Sequence, residues 1–128
     1  MTFYRDEVAR LDKTLYPHDD LTRQIKAAKF YIDTHFSDEI NLDKIASKAL
    51  VSKFHFIRVF KGYYGRTPHQ YLQEVRIEMA KKLLLKGKSI GEVCNAIGFK
   101  SKTSFISLFK KMTGITPLTY QNKKSNFE

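Results

Sequence analysis

The chain has 128 residues, 42% hydrophobic and 28% charged, and its ten Phe and seven Tyr supply the volume of a packed core, so a disordered chain is excluded. The single cysteine, Cys94, excludes an intramolecular disulfide and a Cys-based zinc site, and no apolar run approaches the ~20 residues of a membrane span. The formal net charge is +10, divided as six basic and eight acidic side chains in residues 1–40 against 17 and five in residues 41–128, an excess suited to nucleic acid, an anionic membrane or an acidic protein.

Taken in chain order, Tyr4, Val8, Leu11 and Leu15 make an apolar stripe closed by Pro17. The extension 1–17 therefore has room for one helix, either docked on the rest of the chain or touching a partner. Asp20 is placed to cap a helix from Leu21 to about His35, with Ile25, Ala28, Ile32 and Phe36 inward. Asn41 caps a short helix carrying Leu42, Ile45, Ala46 and Ala49 on one face. The chain turns through Leu50 and Val51, and Ser52 caps a helix whose stripe is Phe56, Val59, Phe60 and Tyr63. That helix stops near Gly62 and Gly65. Thr67, Pro68 and Gln70 then open a long helix to about Lys86, with Tyr71, Leu72, Val75, Met79, Leu83 and Leu84 as its stripe. Ser89 and Glu92 make a capping box for a helix that faces Ile90, Val93, Cys94 and Ile97 inward. Gly98 supplies the next turn, and Ser101 caps a helix burying Phe105, Leu108, Phe109 and Met112 and ending at Gly114. A last short helix starts at Pro117. No segment has strand periodicity, and the class is all-α.

The chain contains an internal repeat. At a fixed offset of 49, Phe56, Ile57, Phe60, Lys61, Gly65, Thr67, Pro68 and Tyr71 recur as Phe105, Ile106, Phe109, Lys110, Gly114, Thr116, Pro117 and Tyr120. Upstream the offset is 48, which pairs Ile45-Ala46 with Val93-Cys94 and Val51 with Phe99. Each copy reads as helix, tight turn, helix. The expected organisation is an extension at 1–17, a first helix-turn-helix subdomain at 18–66, a linker helix at 67–87, a second subdomain at 88–123 and a tail at 124–128.

A helix-turn-helix with a basic outer face is suited to reading a DNA groove. The buried stripe of the first long helix leaves Lys53, Phe54, Ile57, Arg58 and Lys61 pointing outward. In the second, Lys102, Thr103, Ile106, Ser107, Lys110 and Lys111 are expected outside. Lysine and arginine suit phosphates, arginine also matches the guanine edge, and exposed Phe54, Ile57 and Ile106 suit thymine methyl groups. Ser52, Lys53, Lys61, Lys100, Ser101, Lys110 and Lys111 are the expected phosphate contacts.

The residues Ile45-Ala46, Val51-Ser52, Phe60-Lys61, Gly65 and Thr67-Pro68 are followed on the linker by Tyr71-Leu72, Arg76, Ala80 and Leu83-Leu84. Val93, Gly98-Phe99, Phe105, Phe109-Lys110, Gly114, Thr116-Pro117 and Tyr120 complete the pattern. Together they resemble the DNA-binding region of the AraC/XylS family of bacterial transcription regulators over about residues 21–122, in the build of its short, MarA/SoxS-like members. The resemblance implies two helix-turn-helix units whose second helices enter successive major grooves of an asymmetric promoter site. It also implies activation through contact with RNA polymerase. By position, the base readers are Phe54, Ile57 and Arg58 in the first unit and Lys102, Thr103, Ile106 and Ser107 in the second. Cys94 stands where the family usually has Ala, Ser107 where Arg is common, and Ile57 at a position that is often polar.

Other constellations weigh less. His18, His35, His55 and His69 have no metal-ligand spacing, and no nucleophile triad, glycine-rich phosphate loop or zinc-protease motif is present, so neither an enzyme nor a metal or cofactor is expected. Cys94 lies on an apolar stripe and reads as core. No ligand pocket is evident. The expected partner is double-stranded DNA, bound by a monomer unless an additional domain dimerises it, in the cytoplasm at the nucleoid and without a membrane. The alternative is a protein-interaction module that binds an acidic partner without DNA; an RNA-binding role lacks the motifs of RNA-reading folds.

Overall fold

The computed structural model describes residues 18–125, with side chains over residues 20–123. The stripe Tyr4, Val8, Leu11 and Leu15 and the end of the tail lie outside the described residues. Among these residues there are seven helices and no strand: α1 (His18–His35), α2 (Leu42–Lys48), α3 (Lys53–Tyr64), α4 (Pro68–Leu85), α5 (Ile90–Ala96), α6 (Lys102–Thr113) and α7 (Pro117–Ser125).

The helix starts follow local capping chemistry. Asn41 Oδ1 accepts the backbone N–H of Lys44 at 3.2 Å, and Ser52 Oγ accepts that of His55 at 3.1 Å. Ser89 Oγ accepts from Glu92 at 3.2 Å, Ser101 Oγ from Ser104 at 3.1 Å, and Thr116 Oγ1 from Thr119 at 3.1 Å. Each bond satisfies a donor that a helix N-terminus otherwise leaves open. Both longer repeat helices stop on a left-handed glycine: Gly65 donates to Lys61 O and Gly114 to Lys110 O, at 2.7 and 2.8 Å. Asp20 is not a cap. Helix α1 begins at His18, so Asp20 lies within it and pairs with exposed Arg23 at 3.3 Å.

The described residues divide into two compact units, the first holding 18–31 with 41–68, the second 32–40 with 69–125. The first unit is built on Ile25, Ala28, Ala46, Phe56 and Phe60, all buried. Phe56 and Phe60 are fully enclosed, and Tyr64 continues their row, its ring 4.8 Å from that of Phe60. Tyr63 does not belong to this core. It is 46% exposed and shares a hydrogen bond of 2.7 Å with Thr22 Oγ1. The buried line follows i, i+4, i+8, so the seventh residue from Phe56 falls off its edge.

The second unit has a core of Ile77, Ala80, Leu84, Val93, Cys94, Ile97, Phe105 and Phe109. Phe109 meets Phe105 and Tyr120 edge-on, with centroids at 5.9 and 5.5 Å. Met112, the repeat counterpart of Tyr63, is likewise exposed, and Val59 and Leu108 are only half-buried. On α4 the buried residues are Pro68, Leu72, Ile77, Ala80 and Leu84, while Tyr71, Val75, Met79 and Leu83 are half-buried. A single-stripe reading of α4 omits Ile77, because this helix is covered on more than one side.

Two polar anchors fasten distant parts of the second unit. Arg76 Nε donates to Phe36 O at 2.7 Å, its Nη2 donates to Asp38 O at 3.1 Å, and its guanidinium lies 5.5 Å from the centre of the Phe99 ring. Burial holds its pKa below the ordinary arginine value. Gln121 Nε2 donates to both Leu84 O and Lys88 O at 2.9 Å, which ties α7 to the C-terminal end of α4.

Candidate nucleic-acid interface

Each unit presents a helix-turn-helix whose second helix carries the predicted reader residues. In the first, α2 ends as Ala49 donates to Ala46 O at 3.0 Å, and Val51 donates back to Ala46 O at 3.2 Å. The residue between them, Leu50, takes a left-handed φ of 60° with its side chain 87% exposed. The second unit repeats this turn: Phe99 donates to Cys94 O at 3.0 Å, and Gly98 takes the left-handed position with φ 87°. At the 48-residue offset Leu50 and Gly98 are counterparts.

The burial of Phe56 and Phe60 fixes which side of α3 faces out. Phe54 is 75% exposed, and Arg58 and Lys61 are exposed. Ser52 is exposed, its oxygen engaged as the cap of α3. Lys53 is half-buried: its Nζ lies 3.8 Å from Asp43 Oδ1 and 5.7 Å from the centre of the Phe54 ring. In the second unit Lys100, Ser101, Lys102, Thr103, Ser107, Lys110 and Lys111 are all exposed. They line the start and outer face of α6, with Ser101 serving as its cap.

The two isoleucines depart from expectation. Ile57 and Ile106 are half-buried, and Ile106 packs against the core cluster of the second unit. Phe54 is thus the apolar side chain that stands clear of the surface among those predicted to read bases. Cys94 is buried in the same cluster with Sγ donating to Phe99 O at 3.5 Å. Burial pushes its thiol pKa up, against a smaller downward pull from Lys102. A thiol held protonated is a poor nucleophile, in keeping with a packing role.

Sequence reasoning missed the Asp43–Lys53 pair, although an acid in the first turn of α2 and a lysine opening α3 were both legible. It also missed an open cleft of about 470 Å³ in the second unit, lined by Ser37, Glu39, His69, Arg76, Lys100 and Ser104 among others. The cleft mixes acid with base, and the Arg76 guanidinium at its wall is already committed to two carbonyls. No described helix is long and apolar enough to cross a membrane.

A helix-turn-helix domain model matches residues 45–123, which spans both repeats. The chain belongs to the AraC-type helix-turn-helix family. The AraC-type likeness extends to solved structures. A transcriptional regulator of Chromobacterium violaceum, described as an AraC-type DNA-binding-domain protein, superposes with a TM-score of 0.69 at 29% identity, covering 80% of this chain and 92% of that one. The DNA-binding domain of the global transcriptional factor AdpA, solved in complex with a target DNA, superposes with a TM-score of 0.72 at 25% identity, covering 77% of this chain and 90% of that one. Among curated proteins, the Bacillus subtilis bifunctional transcriptional activator/DNA repair enzyme AdaA is 38% identical over 92 residues, 71% of this chain and 44% of its own length. The chain thus spans less than half the length of that relative.

Proposed function

We propose that this chain is a sequence-specific double-stranded DNA-binding transcription regulator that inserts α3 and α6 into successive major grooves. The observation that carries the reading is the repeated, exposed basic face: Arg58 and Lys61 on α3, and Lys110 and Lys111 on α6, turned away from a fully buried Phe pair in each unit, with exposed Lys102 at the start of α6. A row of fixed cations on a helix is placed to neutralise phosphates, while Phe54, Arg58, Thr103 and Ser107 supply base-edge chemistry. The complex of the AdpA domain with its target DNA supports DNA as the partner. The names of relatives such as the activator AdaA support a role in transcription.

The two repeats share their outward lysines but differ at the base-reading positions Phe54/Thr103 and Arg58/Ser107, so the site is asymmetric and one protein copy occupies it. Activation proceeds by contact with RNA polymerase, in the cytoplasm at the nucleoid, with no catalytic step, metal or cofactor. A protein-interaction module that binds an acidic partner without DNA is less well supported, because Ile57 and Ile106, two of its three apolar contacts, are half-buried.

Selection of duplexes from a random library, followed by competition with scrambled sequence, tests the reading and separates two roles on α3. Arg58 lies between Phe56 and Phe60 on the opposite side of the helix, facing outward with a planar fork that lysine cannot copy. Arg58→Ala should cost about 1–3 kcal/mol on the selected duplex and much less on random DNA. Lys61, in the last turn of α3, is assigned a phosphate in this proposal. Lys61→Ala should weaken both duplexes by a similar factor and reduce the salt slope by about one. Equal losses on the two duplexes for Arg58→Ala would make Arg58 a phosphate clamp and leave base reading on α3 to Phe54.

A further inference from the structure

The two repeats place a lysine at the first position of the reader helix, Lys53 on α3 and Lys102 on α6. The two lysines are counterparts at the 49-residue offset. Each reaches back toward the first turn of the preceding helix, and there the repeats diverge. In the first unit the residue met is Asp43, whose carboxylate lies 3.8 Å from Lys53 Nζ. In the second unit the matching residue, at the 48-residue offset, is Gly91. A Cβ built on it would lie 3.1 Å from Lys102 Cε and 3.4 Å from Lys102 Nζ. The same lysine therefore occupies the same place twice, once against a carboxylate and once over a residue with no side chain. Lys53 is half-buried in this arrangement, whereas Lys102 is exposed.

We propose that Asp43 is an electrostatic attenuator that offsets Lys53 and removes about one unit of sequence-blind phosphate attraction from the first reader helix, and that Gly91 leaves Lys102 as a free phosphate anchor on the second. The proposal rests on the DNA-binding reading. Pairs this exposed add little to stability, so Asp43 is not explained as a fastening of the fold. Beside a polyanion the balance is different. A carboxylate next to the lysine must either be separated from it or be carried toward the phosphates, and both weaken binding without regard to sequence. The unit with Asp43 then depends more on Phe54 and Arg58, and the unit with Gly91 more on charge.

The arrangement can be reversed in both directions with near-isosteric controls. Asp43→Asn removes only the charge. Gly91→Asp imports the carboxylate, and Gly91→Asn imports its shape alone. Gly91 does not have a left-handed φ, and its neighbours at that site are the mobile end of a lysine, so both substitutions fit. Fluorescence anisotropy of the full chain on a labelled random-sequence duplex between 50 and 200 mM salt reads the effect, with far-UV circular dichroism confirming the helices. One phosphate contact contributes a salt slope of about 0.9, roughly threefold in affinity over this range. Asp43→Asn should raise affinity about threefold at the low-salt end and steepen the slope by about one. The gain should vanish when Lys53→Ala is added. Gly91→Asp should lower affinity by a similar factor relative to Gly91→Asn, and Lys102→Ala should abolish that difference. Unchanged slopes in a protein that otherwise binds DNA would overturn the attenuator and leave the DNA reading intact. A gain from Asp43→Asn that persists without Lys53 would also overturn it, because Asp43 would then act by its own charge alone. A wild-type chain with no affinity for the duplex would overturn both.

Discussion

Gly98→Ala should lower the midpoint of thermal unfolding by roughly 15 °C or more, a loss of about 3–4 kcal/mol. Two causes add. The position has a φ of 87°, where an L-side chain costs about 1–2 kcal/mol. A Cβ there would also lie 2.5 Å from Ser37 O and 2.8 Å from Ser37 C, both backbone atoms that the Arg76-anchored segment 36–38 holds in place. Such an overlap in a packed region costs about 1–3 kcal/mol more. The counterpart position offers an internal control. Leu50 adopts the same left-handed turn at φ 60° but faces solvent. Leu50→Gly should therefore stabilise the chain by about 0.5–1 kcal/mol, the relief of the left-handed strain less the entropy glycine gains in the unfolded chain. Circular dichroism melts of both variants check the pair. A shift of only a few degrees for Gly98→Ala would show that the Ser37 segment gives way.

Affinity for DNA should fall by about three decades between 50 and 200 mM salt. The magnitude follows from the outward cations of the two reader segments. Lys61, Lys100, Lys102, Lys110 and Lys111 are exposed, while Lys53 is held beside Asp43 and Arg58 is assigned to a base edge. If each of the five neutralises one phosphate, the slope of log affinity against log salt is about −4.5, which gives a factor of about 500, close to three decades, for a fourfold change in salt. Anisotropy titrations at four salt concentrations measure it. A flat response would remove DNA as the partner and return the acidic-protein alternative to first place.

The parts of the fold that local chemistry determines were readable from the sequence. Asn41, Ser52, Ser89 and Ser101 cap helices as their positions suggest, and the spacing of Phe56, Phe60, Phe105 and Phe109 marks a buried row in each repeat. The repeat itself turns one such reading into two. What escaped depends on non-local contacts. Nothing in the periodicity of α6 says that Ile106 meets the core cluster, since its outward placement followed from the stripe alone. Tyr63 and Met112 fit a general helical stripe but fall at the edge of the i, i+4, i+8 row that is buried, and which edge is covered is set by tertiary packing. The Arg76 bonds to Phe36 O and Asp38 O join residues about 40 positions apart and follow no local pattern. On the interface, the charges were legible but their pairing was not: Asp43 and Lys53 are ten residues apart, and only the turn between α2 and α3 brings them together.

The central claim is that one chain reads DNA with two different helices. Footprinting the protein on its selected duplex, with the bound stoichiometry measured in parallel, tests this most directly. The account predicts protection over two major grooves about one helical turn, ~34 Å, apart, on a site without a palindrome and with one protein copy bound. A palindromic footprint occupied by two copies, each protecting a single groove, would contradict it.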